Sequence, residues 1–240
     1  MAPAASNKLA PGPARPEFMA GLRECLPVIA TAAPFGAVFG VVASEKGLQP
    51  AEIIAMSAFV YAGASQYVAI ELWATPLPYL TMVLSVFAVN FRHILYSASI
   101  GRKLHRFGPL QKSVAFFGLV DPQWAVMEKR AETHEVSISF YAGMAVPLYC
   151  AWVLSTAFGV AFGRLIENPE AFGLDFLLPV YFLALLMGFR SRPRWLPIVL
   201  TSASVGTLFH VIVGPPWHVA TGAFAGIVLA ACMTGKKAET

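Results

Sequence analysis

Along this chain apolar residues run in eight long stretches, at 25–44, 53–70, 78–100, 113–127, 136–163, 176–189, 195–213 and 217–233, and charged residues gather in the short connections between them. A run of about twenty apolar residues is what an α-helix needs to cross a bilayer, and so many runs cannot be hidden in one water-soluble core. The pattern predicts an all-α, polytopic membrane bundle of six to eight segments. Two stretches fall short. At about 1.5 Å of rise per residue, 113–127 covers only some 22 Å of a hydrocarbon core of roughly 30 Å. That stretch also holds Asp121-Pro122, and 53–70 is interrupted by Gly63-Ala64-Ser65. Both are expected to be broken or re-entrant helices.

Composition agrees and narrows the function. Of 240 residues, 57% are hydrophobic and 12% charged, and the connections are too short for a soluble catalytic module. The net charge of +4 comes from short basic clusters without interleaved aromatics to stack bases, which argues against nucleic acid as a partner. Cys25, Cys150 and Cys232 lack Cys-x-x-Cys or paired-histidine spacing and read as buried free thiols. No phosphate loop, nucleophile with its base or metal-ligand cluster is visible, so neither an enzyme nor a bound cofactor or metal is expected. Residues 1–17, rich in Ala and Pro, read as a disordered tail, 18–235 as the transmembrane domain and 236–240 as a short cytoplasmic tail. The first apolar stretch is too long for a signal-peptide core and should remain as a helix.

Loop charge orients the chain, because Lys and Arg gather on the cytoplasmic side of short loops. Basic clusters stand at Lys8, Arg15 and Arg23, at Arg102, Lys103, Arg106 and Lys112, at Arg190, Arg192 and Arg194, and at Lys236 and Lys237. If every stretch crosses, the Arg102 cluster falls outside. If 53–70 and 113–127 turn back, all four clusters and both termini lie inside.

Polar residues within the apolar stretches are the candidate chemistry. An ionisable group in hydrocarbon is costly enough to suggest solute or proton movement. Tyr61-Ala62-Gly63-Ala64-Ser65-Gln66 interrupts the second stretch with small residues, and an opened helix there would present N–H groups and a positive dipole to an anionic solute group. A continuous helix would place Ser57, Tyr61 and Ser65 on one face as interhelical hydrogen-bond glue. In the third stretch Asn90, His93 and Ser97 share one face, while Arg92, Tyr96 and Ser99 share another. Asp121, followed by Pro122, can cap a half-helix, take up a proton or pair with Arg92 as a purely structural ion pair.

Two motifs recur. Residues 34–40, Pro-Phe-Gly-Ala-Val-Phe-Gly, resemble residues 157–163, Ala-Phe-Gly-Val-Ala-Phe-Gly, and Ser97-Ala98-Ser99-Ile100-Gly101 resembles Ser202-Ala203-Ser204-Val205-Gly206. Internal duplication is common in transporters, yet small residues at such spacing also serve as close-packing faces.

Taken together, Pro34-Phe35-Gly36 with Phe39-Gly40, the Tyr61–Gln66 run, Arg92-His93-Ile94-Leu95-Tyr96, Gly118-Leu119 followed by Asp121, and Leu178-Pro179 with Phe182 resemble the large subunit of the azaleucine-resistance, AzlC-like family of branched-chain amino acid exporters. Family members carry an acidic residue directly after the aspartate; here Pro122 takes that place, so a two-carboxylate relay is not expected. The resemblance implies a multi-pass protein of the bacterial inner membrane that moves small aliphatic amino acids outward with a small hydrophobic AzlD-like partner subunit. On that reading Gly63, Ala64 and Ser65 receive the solute carboxylate, Tyr61 and Gln66 orient it, and Asn90 and His93 complete the pocket. Arg92 and Asp121 serve proton coupling or gating, and Phe35, Phe39 and Phe59 wall the pocket. A membrane scaffold that binds a partner helix, or a small-solute channel, are the rival readings.

Overall fold

In the computed structural model, which describes residues 12–163, 183, 186–187, 190–214 and 217–235, the regular structure is helical. Nine helices form among the described residues: α1 Ala14–Glu45, α2 Pro50–Phe59, α3 Gly63–Glu71, α4 Tyr79–Gly101, α5 Pro109–Phe117, α6 Asp121–Thr133, α7 Ile138–Gly163, α8 Trp195–Ile212 and α9 Trp217–Gly235. Four of them, α1, α4, α7 and α8, are long and apolar enough to cross a bilayer. The expected helical membrane bundle is therefore present. Most of stretch 176–189, with Leu178, Pro179 and Phe182, lies outside the described residues.

Both short stretches are broken, each a few residues before the expected place. Stretch 53–70 becomes α2 and α3 around Val60–Ala62, and Gly63-Ala64-Ser65 forms the first turn of α3. Stretch 113–127 breaks at Gly118–Val120, so Asp121 and Pro122 open α6. Proline is harmless in a first turn, where its missing N–H has no helical acceptor, and a carboxylate there meets the positive end of the helix dipole. Short α2 and α5 start in the same way, at Pro50 and Pro109. Glu52 Oε2 accepts the Gln49 N–H at 2.7 Å and Gln111 Oε1 the Gly108 N–H at 2.8 Å.

The chain divides into two compact units, one of Met1–Gln66 with Arg92–Glu167 and one of Tyr67–Phe91 with Asn168–Thr240; the boundary passes through α3 and α4. The first unit is built on a seam between α1 and α7. Gly21 lies against Phe140, Gly40 against Thr156 and Val160, and Val41 against Gly163, so contacts advance together along both helices and the two run parallel. The recurring motifs of α1 and α7 meet in this seam. A side chain on Gly159 would collide with the Ala37 carbonyl, and one on Gly40 with that of Thr156. Lipid tails are as apolar as Leu, so such a seam gains from close backbone packing and not from leaving water.

Beside the seam, Cys25, Ile100, Leu104, Met127, Phe140 and Met144 form a core with at most 1% of each residue exposed. The helix α1 reaches back to Ala14, into the segment read as tail. Its first turn is tied down where Glu17 takes Arg130 at 3.0 Å and the Ser137 hydroxyl at 2.9 Å. Of the cysteines, which are free, Cys25 is buried as expected, whereas Cys150 and Cys232 face outward because they stand on the exposed sides of α7 and α9.

In the second unit α8 and α9 form a hairpin, with Gly222 close to Gly206 and Ser202. Arg194, at the start of α8, donates to the Met233 carbonyl in the last turn of α9, where a cation complements the helix dipole. At the other end the rings of His210 and His218 lie 4.8 Å apart. No residue of α8 is buried, as suits an apolar helix facing lipid.

Candidate functional site

The break between α2 and α3 is held open by α7. Tyr61 adopts φ +44°, in the left-handed region, which for a bulky residue costs on the order of 1–3 kcal/mol and must be imposed by surroundings. Its ring packs edge-on against Tyr149, centroids 5.0 Å apart, and is 4% exposed. The Tyr149 hydroxyl donates to the Ala58 carbonyl at 2.9 Å. That carbonyl belongs to the last turn of α2, where the break removes its helical donor.

Below the break lies a closed polar chain. Trp152 Nε1 donates to Gln66 Oε1 at 3.1 Å, Gln66 Nε2 donates to Ser57 Oγ at 3.0 Å, and Ser57 and Thr156 share a hydrogen bond of 2.9 Å. Ser57, Gln66 and Thr156 are completely buried, so each of these bonds avoids the penalty of a bare polar group in an apolar interior. Gly63 faces the Trp152 indole, 2.9 Å from where its Cβ would stand. The Tyr61 hydroxyl, also buried, has no hydrogen-bond partner among the described residues. In α3 the first backbone bond runs from Gln66 N–H to Ala62 O at 2.9 Å, which leaves the N–H groups of Gly63 and Ala64 ahead of the helical ladder.

A second cluster joins α4 to α6. Arg92 lies 3.0 Å from Oδ2 of Asp121 and Tyr96 donates to Oδ1 at 2.9 Å. Tyr96 also stacks on Trp124 at 4.5 Å, and the half-buried His93 ring stands 5.7 Å from it. Seven residues further along both helices, Glu128 accepts from Ser99 at 2.6 Å and from Lys103. The face expected to carry Arg92, Tyr96 and Ser99 is thus the one turned to α6. Burial works against ionised Glu128, but the hydrogen bonds from Lys103 and Ser99 outweigh it and hold its carboxyl below the ordinary value.

Because Arg92 and Tyr96 meet Asp121 while Ser99 and Lys103 meet Glu128, α4 and α6 run in the same direction. The chain enters α5 from the end where α4 finishes and returns along α6 to that end. There Arg106 pairs with Glu135 at 2.7 Å. Stretch 113–127 therefore forms a helical hairpin, α5–α6, within this unit.

Of the sequence-predicted residues, Tyr61, Gly63, Ala64, Ser65 and Gln66 come together at the α2–α3 break, and Arg92, His93 and Asp121 at the α4–α6 cluster. Asn90 belongs to the second unit. Phe35 and Phe39 are buried at 6% and 0%, whereas Phe59, expected in the pocket wall, is 79% exposed because it ends α2 on the outer side. Tyr149, Trp152 and Thr156 were not foreseen. Their spacing, i, i+3 and i+7, places them on one face of an otherwise apolar helix, and that was the available signal.

The AzlC protein family model matches residues 27–166, from within α1 past the end of α7. The Inner membrane protein YgaZ of Escherichia coli is 30% identical over 93% of this chain and 91% of its own length. An uncharacterised membrane protein of Archaeoglobus fulgidus is also 30% identical, over 88% of this chain and 93% of its own. The Branched-chain amino acid transport protein AzlC of Bacillus subtilis is 24% identical over 71% of this chain and 66% of its own. No solved structure matches. With a family match over both helices of the seam and relatives aligned along nearly their whole length, this chain is a membrane protein of the AzlC family.

Proposed function

We propose that this protein exports branched-chain or related small aliphatic amino acids across a bacterial inner membrane, driven by protons and together with a small hydrophobic AzlD-like subunit. Family membership and the name of the Bacillus subtilis relative support amino acid transport. The observation that carries the reading is the α2–α3 break, where the N–H groups of Gly63 and Ala64 stand ahead of the helical ladder of α3 and the buried Tyr61 hydroxyl has no hydrogen-bond partner among the described residues. The N–H groups of Gly63 and Ala64, with the dipole of α3, receive the solute carboxylate; Ser65 lines that turn and Tyr61 donates to the carboxylate. Gln66, with one amide hydrogen beyond its bond to Ser57, orients the solute, and His93 completes the pocket. Arg92 and Asp121 form the proton-sensitive latch.

Topology follows from the two parallel helix pairs. Parallel α1 and α7 require an odd number of crossings between them. The single span of α4 and the returning α5–α6 hairpin supply one, so α2–α3 also turns back. Placing the Arg102 cluster inside puts the start of α1 in the cytoplasm, and the basic clusters at Arg190–Arg194 and Lys236–Lys237 support the same side for the C-terminus.

Counterflow of labelled leucine in proteoliposomes containing the partner subunit tests this. Saturable exchange is expected, and Tyr61→Phe should raise the half-saturating leucine concentration several-fold with unchanged thermal stability, since its hydroxyl has no hydrogen-bond partner among the described residues. Unsaturable flux would make the protein a channel, and absence of flux a scaffold. Unchanged leucine affinity in Tyr61→Phe would remove this residue from the site.

A further inference from the structure

At the mouth of the α5–α6 hairpin a cavity of about 210 Å³ is lined by Arg102, Lys103, His105, His134 and Glu135, with Ala131 and Val136. It joins the connection after α4 to the connection after α6. Arg102 and Lys103 directly follow the membrane-length helix α4, which sets the cavity at the depth of lipid headgroups.

Its charges are unevenly committed. Lys103 is taken by Glu128, and the lining carboxylate, Glu135, is held by Arg106 at 2.7 Å. Arg102 is exposed and has no carboxylate within ion-pairing distance among the described residues, although it acts at longer range on Glu128. His134 uses Nδ1 on Thr133 at 2.8 Å, and His105 stands 3.7 Å from Glu135. One uncommitted guanidinium and two imidazoles thus surround a space large enough for a phosphodiester. The helix α5, which begins three residues after Arg106, carries an outward apolar stripe of Leu110, Val114 and Phe117, 78%, 64% and 52% exposed. These residues lie at i, i+4 and i+7, one helix face suited to acyl chains.

We propose that this cavity binds the headgroup phosphate of an anionic glycerophospholipid, with Arg102 as the principal contact and the acyl chains along α5. The site is separate from the proposed solute pocket and does not depend on which solute is carried. A soluble phosphate ion would use the same guanidinium but gain nothing from the apolar stripe.

Native mass spectrometry of the full chain in detergent decides the matter, with phosphatidylglycerol, phosphatidylcholine of the same acyl chains, and inorganic phosphate as probes. Phosphatidylglycerol should be retained in preference to phosphatidylcholine. Arg102→Gln should weaken that retention about fivefold, the effect of one basic residue beside an anionic headgroup. Lys112→Gln, on α5 and outside the cavity lining, should leave it unchanged. Equal retention of both lipids, or equal losses in the two variants, would overturn the site. Binding of inorganic phosphate that depends on Arg102 and displaces phosphatidylglycerol would assign the cavity to the free ion instead.

Discussion

Arg92 and Asp121 are joined at 3.0 Å across α4 and α6, with both side chains about one-quarter exposed or less, 26% and 19%. Removing Asp121 takes this carboxylate from the Arg92 guanidinium, and removing Arg92 leaves the Asp121 charge with the Tyr96 hydroxyl, whereas removing both removes the charges together. Arg92→Gln and Asp121→Asn should each lower the thermal stability of the detergent-solubilised protein, and the double variant should regain about 0.5–3 kcal/mol relative to the sum of the singles. Additive losses would show that the contact is energetically idle. If Asp121 carries the coupled proton, the double variant should exchange leucine while a pH gradient no longer accelerates it; undiminished gradient drive would remove that role.

The second carboxylate gives a pH test. Glu128 is held below its ordinary 4.5 because Lys103 and Ser99 outweigh the effect of burial. A carboxyl depressed in the folded state contributes stability above its unfolded pKa, and that contribution is lost as pH falls through the folded one. Unfolding scans from neutral to acid pH should show stability falling below about pH 4.5, the ordinary value of the group. Glu128→Gln should be less stable near neutrality and show a shallower acid limb. Superimposable acid limbs would mean that other carboxylates dominate.

Topology can be read with single cysteines in a background lacking Cys25, Cys150 and Cys232. The returning α5–α6 hairpin requires that cysteines at Lys112 and Glu132 label from the same side of the membrane, and that one at Glu71, beyond the span of α4, labels from the other. Opposite sides for Lys112 and Glu132 would convert the hairpin into a crossing segment.

The seam predicts intolerance at Gly159. A methyl group there meets the Ala37 carbonyl, a backbone atom that cannot rotate away. Gly159→Ala should destabilise the protein by about 1–3 kcal/mol, the usual cost of overpacking. Gly47, with nothing within 4 Å of a Cβ but φ +85°, should respond through backbone strain alone. Comparable membrane accumulation and melting of wild type and Gly159→Ala would argue that α1 and α7 can separate.

Much of this was legible beforehand, and the failures have a common cause. Segment length exposed both broken helices, since a fifteen-residue stretch cannot span and proline marks an entry turn. What could not be read was the residue at which each opens. Small residues suggested Gly63–Ser65, but Tyr149 and its bond to Ala58 hold the opening at Tyr61. That is a tertiary contact from a helix almost ninety positions away, and no local propensity encodes it. The partners of Gln66 were hidden for the same reason. Its bonds to Ser57 and Trp152 depend on α7, and only part of its amide is left for a solute. The pairing of Arg92 with Asp121 was accessible because charges in hydrocarbon have few alternatives to each other.

The parallel seam also sets an order of events during synthesis. Cys25 Sγ reaches the Met144 carbonyl across 119 positions, and every close contact of the α1 glycines Gly21, Gly36 and Gly40 waits for α7. Until residue 163 has emerged, the narrow face of α1 has only lipid against it, and the two returning hairpins have no α7 on which to close. A nascent chain arrested before Ile138 should therefore hold α1 in the bilayer without the Tyr61 bend or the buried chain from Ser57 to Thr156. The polar chain from Ser57 to Thr156 is thus assembled late, when the last helix of the first unit arrives, whereas the α4–α6 cluster does not wait for it.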